Sequence, residues 1–519
     1  MAQDRNALFA SLDASFDVLI VGGGATGLGL AVDAATRGYQ TALVEAGDFA
    51  QATSSRATKL VHGGVRYLAN GQLHLVREAL RERATMLRAA PHLVRPLAFV
   101  LPVYRRWELP YYGAGLLVYD KLSGKATMGP TRVLGAKATA EQVPGIARSG
   151  LKGSVLYHDG QFNDARFALA LARTAIDCGA VVANYARCER LLYENGRVFG
   201  AAVRDAESGA EEEVRARVVV NATGIFSDDL RRADDAGTAP MLTLSRGTHI
   251  VVSADVLGGK AAVIVPRTRD GRVIFAIPWE GRVVIGTTEV AVAASEMEPG
   301  HAEEEIEYLL ETVGPYLEKR VTRSEVRAVF SGLRPLVRGD GRSTSRLSRE
   351  HAVSVSRNGL ISVAGGKWTT YRKMAEDTLD FAIRQGMLRG AACMTETLRL
   401  HGAAEADGDE PGWEREYGSD LAEVRALIGA DERLGAKLDG ALPYTLAQVV
   451  YAVRAEMART VEDVLSRRTR ALLLDAEAAM RAAPAVAATM ARELGRDAAW
   501  AEEQVRRFTA LARTFYTAA

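Results

Sequence analysis

At 519 residues the chain exceeds what one hydrophobic core usually serves, so two or three domains are expected. Apolar residues at 48% and charged residues at 25% are ordinary soluble values, and 65 basic against 64 acidic side chains leave a net charge of +1, which gives no global field to recruit nucleic acid. Cys178, Cys188 and Cys393 lie far apart with no Cys-x-x-Cys or Cys/His spacing, which argues against a disulfide scaffold, a metal centre or an iron-sulfur cluster; they read as buried thiols in a reducing compartment.

The first fifteen residues lack periodicity and read as a loose arm. Val18 to Val32 is apolar enough for a signal-peptide core, but Asp4, Asp13 and Asp17 precede it where basic residues belong, so it reads as fold. Asp17 to Val21 predicts a buried parallel strand, Gly22-x-Gly24-x-x-Gly27 a tight turn, and Leu28 to Ala35 a helix whose N-terminus faces that turn. Such a turn lets backbone close on a pyrophosphate while helix N–H groups supply hydrogen bonds and positive dipole charge. Glycine turns also join strands to helices in proteins that bind nothing. Here a second strand, Gln40 to Val44, ends at Glu45, where an acid would accept from the ribose hydroxyls of an adenine dinucleotide.

Phe49 to Lys59 is polar and rich in small hydroxyl residues, and Leu60 to Tyr67 carries the His62-Gly-Gly64 turn. Together they read either as a solvated loop with a helix cap or as a loop returning over the cofactor. From Leu73, the residues Val76, Leu80, Ala84 and Leu87 follow helical spacing. The aromatic stretch Tyr104 to Tyr119 suits core packing, a substrate entrance or a membrane contact. Asp164 to Asp177 predicts a helix and Val181 to Tyr185 a strand; Arg187 to Tyr193 and Val198 to Arg204 predict a hairpin around Asn195-Gly196. Ala216 to Gly224 is another buried strand that ends in small residues.

Between about 240 and 338, short β-branched runs separated by Gly, Pro and Arg-rich turns, with a helix over 302–316, predict a mostly antiparallel sheet inserted into the nucleotide lobe. Gly359 to Gly366 is a strand ending in glycines, and Lys367 to Glu376 opens a long helix. Past about 395, Leu421 to Ile428, Leu446 to Met457 and Ala485 to Leu511 predict helices, placed in a separate cap behind the linker 403–412. The resulting organisation is an α/β chain with an α+β insertion. Its parts are a discontinuous dinucleotide domain (16–105, 150–238 and 339–392), a substrate domain (106–149 and 239–338) and a helical C-terminal domain (393–519).

One glycine fingerprint is present and a second is absent, so substrate rather than a nicotinamide is expected to deliver the hydride. An N-terminal fingerprint completed by a late strand-glycine-helix is the layout of Rossmann-like FAD domains of the glutathione-reductase type, and FAD is favoured over NAD. The late helix start would direct N–H groups toward flavin carbonyls, where reduction builds negative charge. Four cations stand beside small rigid turns: Arg66, Arg334, Arg349 and Lys367. A phosphate dianion needs several charge-assisted donors, and a carboxylate fewer. Arginine is common in this chain, and any one of these could simply face water.

Asp17 to Gly27, Ser54-Ser55 with Lys59 to Leu68, Gly247 to Val251, Ile285 to Thr288, Ser331 to Pro335 and Gly365 to Arg372 together resemble the FAD-dependent glycerol-3-phosphate dehydrogenases, over residues 16–385. The resemblance implies oxidation of sn-glycerol 3-phosphate to dihydroxyacetone phosphate, by hydride transfer from C2 to flavin N5 with electrons passing to membrane quinone. It also implies a cytoplasmic protein held peripherally at the inner face of the membrane; a homodimer is left open. By motif, Arg66, Tyr67, Arg334, Arg349 and Lys367 would surround substrate. Gly22, Gly24, Gly27, Glu45, Ser54, Ser55, Lys59, Thr223, Gly224, Gly366, Lys367 and Thr369 would hold FAD. Two departures from the pattern are Ile225-Phe226, where Pro-Trp is usual, and Glu289, where Asp is usual. His62 and His249 are the candidate bases for the C2 hydroxyl, His62 preferred for its place before Gly63, Gly64 and Arg66, while Arg334 could stabilise an alkoxide. The rival readings are an oxidase on the same scaffold that reduces oxygen to peroxide, an amine or 2-hydroxy acid oxidase, and a flavin-binding regulator without turnover.

Overall fold

The computed structural model describes residues 4–518 apart from 65–71, 267, 269–270, 339–350 and 406–411. From the N-terminus come strands β1 (Ser15–Val21), β2 (Thr41–Val44), β3 (Leu60–Val61), β4 (Val94–Val103), β5 (Arg132–Gly135) and β6 (Gly153–Phe162). There follow β7 (Val181–Ala183), β8 (Ala186–Glu194), β9 (Arg197–Asp205) and β10 (Glu211–Asn221). The second half contributes β11 (Leu242–Ser253), β12 (Ala262–Val265), β13 (Ile274–Trp279), β14 (Arg282–Gly286), β15 (Val290–Val292), β16 (Ala328–Val337), β17 (His351–Val355) and β18 (Ile361–Gly365).

The first sheet runs β17-β18-β10-β1-β2-β7, with β9 against β10 and β8 against β9. Five of its strands, β18, β10, β1, β2 and β7, are mutually parallel. Period-2 alternation gives each face its own core. Val18 and Ile20 join Leu30, Phe167 and Leu379 from the helices Ala25–Thr36, Asp164–Asp177 and Tyr371–Arg384, whereas Leu19 and Val21 pack with Leu191 and Val203 of the β8–β9 hairpin. That hairpin turns at Asn195 (φ 50°) and Gly196 (φ 75°), the paired positive φ values that a two-residue turn of the primed type requires. Val21 lies opposite both Asn221 and Val44, so the carboxyl ends of β1, β10 and β2 fall in line. The glycine turn, Glu45 and Ala222 follow directly along that one edge.

The second sheet runs β15-β11-β14-β13-β12-β4-β6-β3, with β16 on the other side of β11 and β5 against β6. Its membership cuts across the boundaries expected from the sequence. β3, β4 and β6 fall inside the stretches 16–105 and 150–238 expected for the dinucleotide domain, yet they pair into the substrate sheet. A strand's partners are set by register and not by its composition, so pairing was not readable from these runs.

The C-terminal helices pack onto this second sheet. Leu446–Ala455, Ala476–Leu494 and Ala498–Phe515 share one core with Val251, Val284 and Phe330 of β11, β14 and β16, while Ile250, Ile285 and Val329 on the other face pack against the helix Glu303–Val313. The single helix expected over 485–511 is two, divided where Gly495 adopts φ 64° and Asp497 caps the next start by accepting from Trp500 N at 2.8 Å. At the other terminus the expected loose arm forms a short helix, Arg5–Ala10, capped by Asp4 and tied down by Arg5 Nη2 on Asp205 at 2.6 Å. The three cysteines are free and half-buried.

Candidate active site

The glycine turn is a backbone cradle whose geometry excludes side chains. Gly22 has φ +113°, and a β-carbon there would lie 2.6 Å from Ala222 O; one on Gly27 would lie 1.8 Å from Gly22 O, so strand and helix touch only because that atom is missing. Gly24 caps the helix Ala25–Thr36. Ser54 Oγ accepts from Ala25 N at 2.9 Å, which places a hydroxyl at the helix start. Glu45 stands beside the cradle, accepting from Gly23 N (2.7 Å) and Gly47 N (2.8 Å); burial pushes its carboxyl up against those two N–H groups. Opposite, Thr223 is fixed by Asn221 Oδ1, Gly224 takes φ 60°, and Gly365 and Gly366 take φ 84° and 68° before Lys367 and the helical turn Trp368–Thr370. Side-chain-free backbone at a helix start, with an acid at the next strand end, fits an adenine dinucleotide.

One segment, residues 53–62, joins this cradle to the second sheet. Thr53 Oγ1 donates to Leu333 O (2.6 Å), Ser54 O accepts from Trp368 Nε1 (2.8 Å), and Thr58 Oγ1 pairs with His249 Nε2 (3.0 Å). Its target is one face of β11, β14 and β16. In register, Gly247 lies opposite Gly332, and His249 opposite both Phe330 and Gly286. The glycines clear room. A β-carbon on Gly286 would lie 2.2 Å from the His249 ring and one on Gly247 2.2 Å from Arg334 Nη2, so imidazole and guanidinium lie flat on backbone. His249 stacks on Phe330 (centroids 4.6 Å apart), and Arg334 donates to Thr287 Oγ1 at 3.1 Å. Behind the sheet Glu305 accepts from Thr248 and Thr288 (2.9 and 2.7 Å) and pairs with Arg246 at 2.7 Å, which fixes the strand that carries His249.

The expected residues divide into three groups. Gly22, Gly24, Gly27, Glu45, Ser54, Thr223, Gly224, Gly366 and Lys367 lie along the ends of the parallel strands, with Arg334 and His249 on the adjoining face of the second sheet. Arg66, Tyr67 and Arg349 lie outside the described residues. Lys59 is buried within the loop that carries it. Its ammonium is fully enclosed, paired with Asp164 (2.7 Å), bonded to Ser55 O (2.9 Å) and set over Trp279 and Phe330, and burial beside Arg470 pulls its pKa down to about 7. These contacts hold the shape of the 55–59 loop. Ser55 and Thr369 are enclosed too, and the Ser55 carbonyl is taken up by Lys59 and Arg470.

Of the two candidate bases, His249 is buried, and enclosure beside Arg334 and Lys59 holds its pKa well below the ordinary imidazole value. His62 follows β3 and is half-buried. Gly63 after it is closely packed: a β-carbon there would meet Leu80 Cδ2 and the Tyr119 hydroxyl at 2.4 Å, so one of those side chains would have to shift. At the two departures, Ile225 packs with Leu244 and Leu333, which ties the cofactor loop to the second sheet, and the Glu289 carbonyl accepts from Arg272 at 3.1 Å. Sequence reasoning missed Thr58, Thr287, Glu305 and Asp164, whose only local signals were a hydroxyl in a loop and acids near helix starts.

Residues 17–372 match the family described as FAD dependent oxidoreductase, and 385–501 match the C-terminal domain of alpha-glycerophosphate oxidase. The chain is 41% identical to a probable mitochondrial glycerol-3-phosphate dehydrogenase of Caenorhabditis elegans, over 96% of this chain and 73% of that protein. It is also 41% identical to the human mitochondrial glycerol-3-phosphate dehydrogenase, over 94% and 72%. Among solved structures it resembles the glycerol-3-phosphate dehydrogenase of Bacillus halodurans complexed with FAD, with TM-score 0.79 and 32% identity over 98% of this chain and 96% of that one. With the cradle, the two-sheet architecture and the motif positions in agreement, the chain belongs to the FAD-dependent glycerol-3-phosphate dehydrogenase family.

Proposed function

We propose that the protein oxidises sn-glycerol 3-phosphate to dihydroxyacetone phosphate with FAD and passes the electrons to a membrane quinone. The observation that carries this reading is the 53–62 segment, which places the cationic face bearing Arg334 beside the dinucleotide cradle. Bound FAD supplies the hydride acceptor. His62, half-buried and at the end of that segment, takes the C2 hydroxyl proton; His249, enclosed and held neutral, positions Thr58 and the sheet face. Arg334, already aligned by Thr287, stabilises the negative charge that develops on the C2 oxygen. Lys367, at the start of the last strand-to-helix turn, puts positive charge where reduction builds negative charge. Arg66, Tyr67 and Arg349, outside the described residues, keep the substrate-binding role that the family resemblance implies.

The membrane part rests on the helix Glu108–Ser123. Its outer face exposes Trp107 (57%), Tyr111 (67%), Leu117 and Val118, with Val133 on the neighbouring β5. Exposed Arg105, Arg106, Lys121 and Arg132 flank them. Aromatic and aliphatic residues ringed by cations are the pattern of an interfacial helix on anionic lipid. Its inner side reaches the His62 turn, since Tyr119 packs at Gly63, so quinone would approach from the lipid side. Among the described residues no helix is long and apolar enough to cross a membrane.

The acceptor is tested by supplying glycerol 3-phosphate with a soluble quinone in one arm and oxygen in the other. Quinone reduction with little peroxide is expected; peroxide formed in step with substrate would move the chain to the oxidase reading, which the C-terminal match keeps in view. Cosedimentation with anionic vesicles, lost in Trp107→Ser/Tyr111→Ser, tests the lipid surface, and binding unchanged by that pair would remove the helix from the account.

A further inference from the structure

The two loops that frame the cofactor cradle are held from behind by one short stretch of the C-terminal domain. The loop 46–51 follows Glu45, and at its centre the Asp48 carboxylate is fully buried. It accepts from Arg467 Nε, from Arg468 Nη1 and, at 3.4 Å, from Asn184 Nδ2. The remaining N–H groups of Arg467 go to Glu462 (2.7 Å) and Asp463 (2.8 Å), and Arg468 Nη2 goes to Glu456 O (2.6 Å). Gln51 of the same loop accepts from Asp48 N and donates to Glu462. On the other side, Arg470 Nη2 donates to Ser55 O (2.5 Å) and to Asp164 Oδ1 (3.0 Å), next to the Ser54 hydroxyl at the helix start. The contacts to Asp48 and Ser55 each cross more than four hundred residues of chain, and they come from a π-helical turn, Asp463–Arg468, and from Arg470 at φ 63° just after it. A π turn is an uncommon geometry that tends to persist where a site depends on it.

We propose that residues 462–470 are a brace that sets the affinity for FAD: Arg467 and Arg468 position Glu45 through Asp48, and Arg470 positions Ser54 through the Ser55 carbonyl. Loops without regular structure otherwise spend binding free energy on becoming ordered, and bracing them in advance removes that cost from cofactor binding. The arginine fork suits the task, because Arg467 spans three carboxylates at once, which an ammonium cannot do in the same geometry. These are positioning residues; none touches the reacting atoms. The inference rests on the chain binding FAD and is independent of which substrate or electron acceptor is used.

The test is FAD release from the diluted holoenzyme, followed by the rise of free-flavin fluorescence at a temperature where circular dichroism shows every variant folded. Arg467→Lys and Asp48→Asn are compared with Val486→Ala, a core substitution in the same domain away from both loops. Release about tenfold faster in the first two than in the core variant is expected, equivalent to ~1.4 kcal/mol of cofactor affinity, with the rate of flavin reduction by substrate restored by excess FAD. If Asp48→Asn does not fold, Arg467→Lys, which keeps the charge and loses the fork, carries the test. Release from the tested variants within about twofold of Val486→Ala would overturn the brace. A wild-type protein that holds no flavin would instead overturn the cofactor reading itself.

Discussion

The two sheets build their halves of the site from different materials. Along the first sheet the cradle is backbone: Gly22, Gly27 and Gly366 matter for the β-carbons they lack and the φ values they allow, and every part lies at a strand end within a few residues of its neighbour. On the second sheet the site is side chains, Arg334 laid over Gly247 of β11 and His249 over Gly286 of β14. A backbone site tolerates almost no substitution, whereas a side-chain site can lose a group and keep its fold. The two halves should therefore fail in different ways.

The largest effect is expected at the cradle. Gly27→Val puts atoms where Gly22 O already sits and should yield protein without bound flavin, measured as flavin per chain after purification; a normally loaded Gly27→Val would break the comparison. On the second sheet and at the segment that serves it, variants should keep their flavin and lose rate. His62→Ala should slow anaerobic flavin reduction by about 10²–10⁴-fold, the usual span for a lost general base, while His249→Phe, which preserves the stack on Phe330, should cost much less. The reverse order would exchange their roles. Arg334→Ala should lower kcat/KM by about 10²–10³-fold with flavin content unchanged.

Smaller effects concern stability. Asp164→Asn leaves Lys59 and Arg470 enclosed without their shared carboxylate and should destabilise the holoenzyme by about 3–5 kcal/mol in denaturant unfolding, the cost of an uncompensated buried charge. The smallest is pH-linked. His401 bonds Asp420 and Asp177, which raise its pKa, so its stabilisation is complete below the imidazole's unfolded value and is lost as pH rises through the higher folded one. The Tm difference between wild type and His401→Gln should shrink across that rise; a difference that grows with pH would contradict the assignment.

The same contrast explains what could be read in the sequence. Gly22-x-Gly24-x-x-Gly27, Glu45 and Asn195-Gly196 were legible because steric and φ demands act locally and leave one residue type available. Gly247 and Gly286 were visible only as motif members; that they lie on adjoining strands beneath Arg334 and His249 follows from register, which no local pattern encodes. Lys59 shows the same limit: a lysine in a polar loop carries no mark that Asp164, more than a hundred residues later, will pair with it. The C-terminal helices read as a separate unit because their apolar stripes do not reveal that Val251 and Phe330 are their partners.

The central claim is that glycerol 3-phosphate reduces an FAD held in this cradle through chemistry on the second sheet. Mixing the holoenzyme with glycerol 3-phosphate under anaerobic conditions and following the visible flavin band tests it most directly. The account predicts rapid bleaching in the wild type and slow bleaching in Arg334→Ala at equal flavin content. A flavin that stays oxidised with glycerol 3-phosphate, or is bleached by a 2-hydroxy acid or an amine instead, would contradict it.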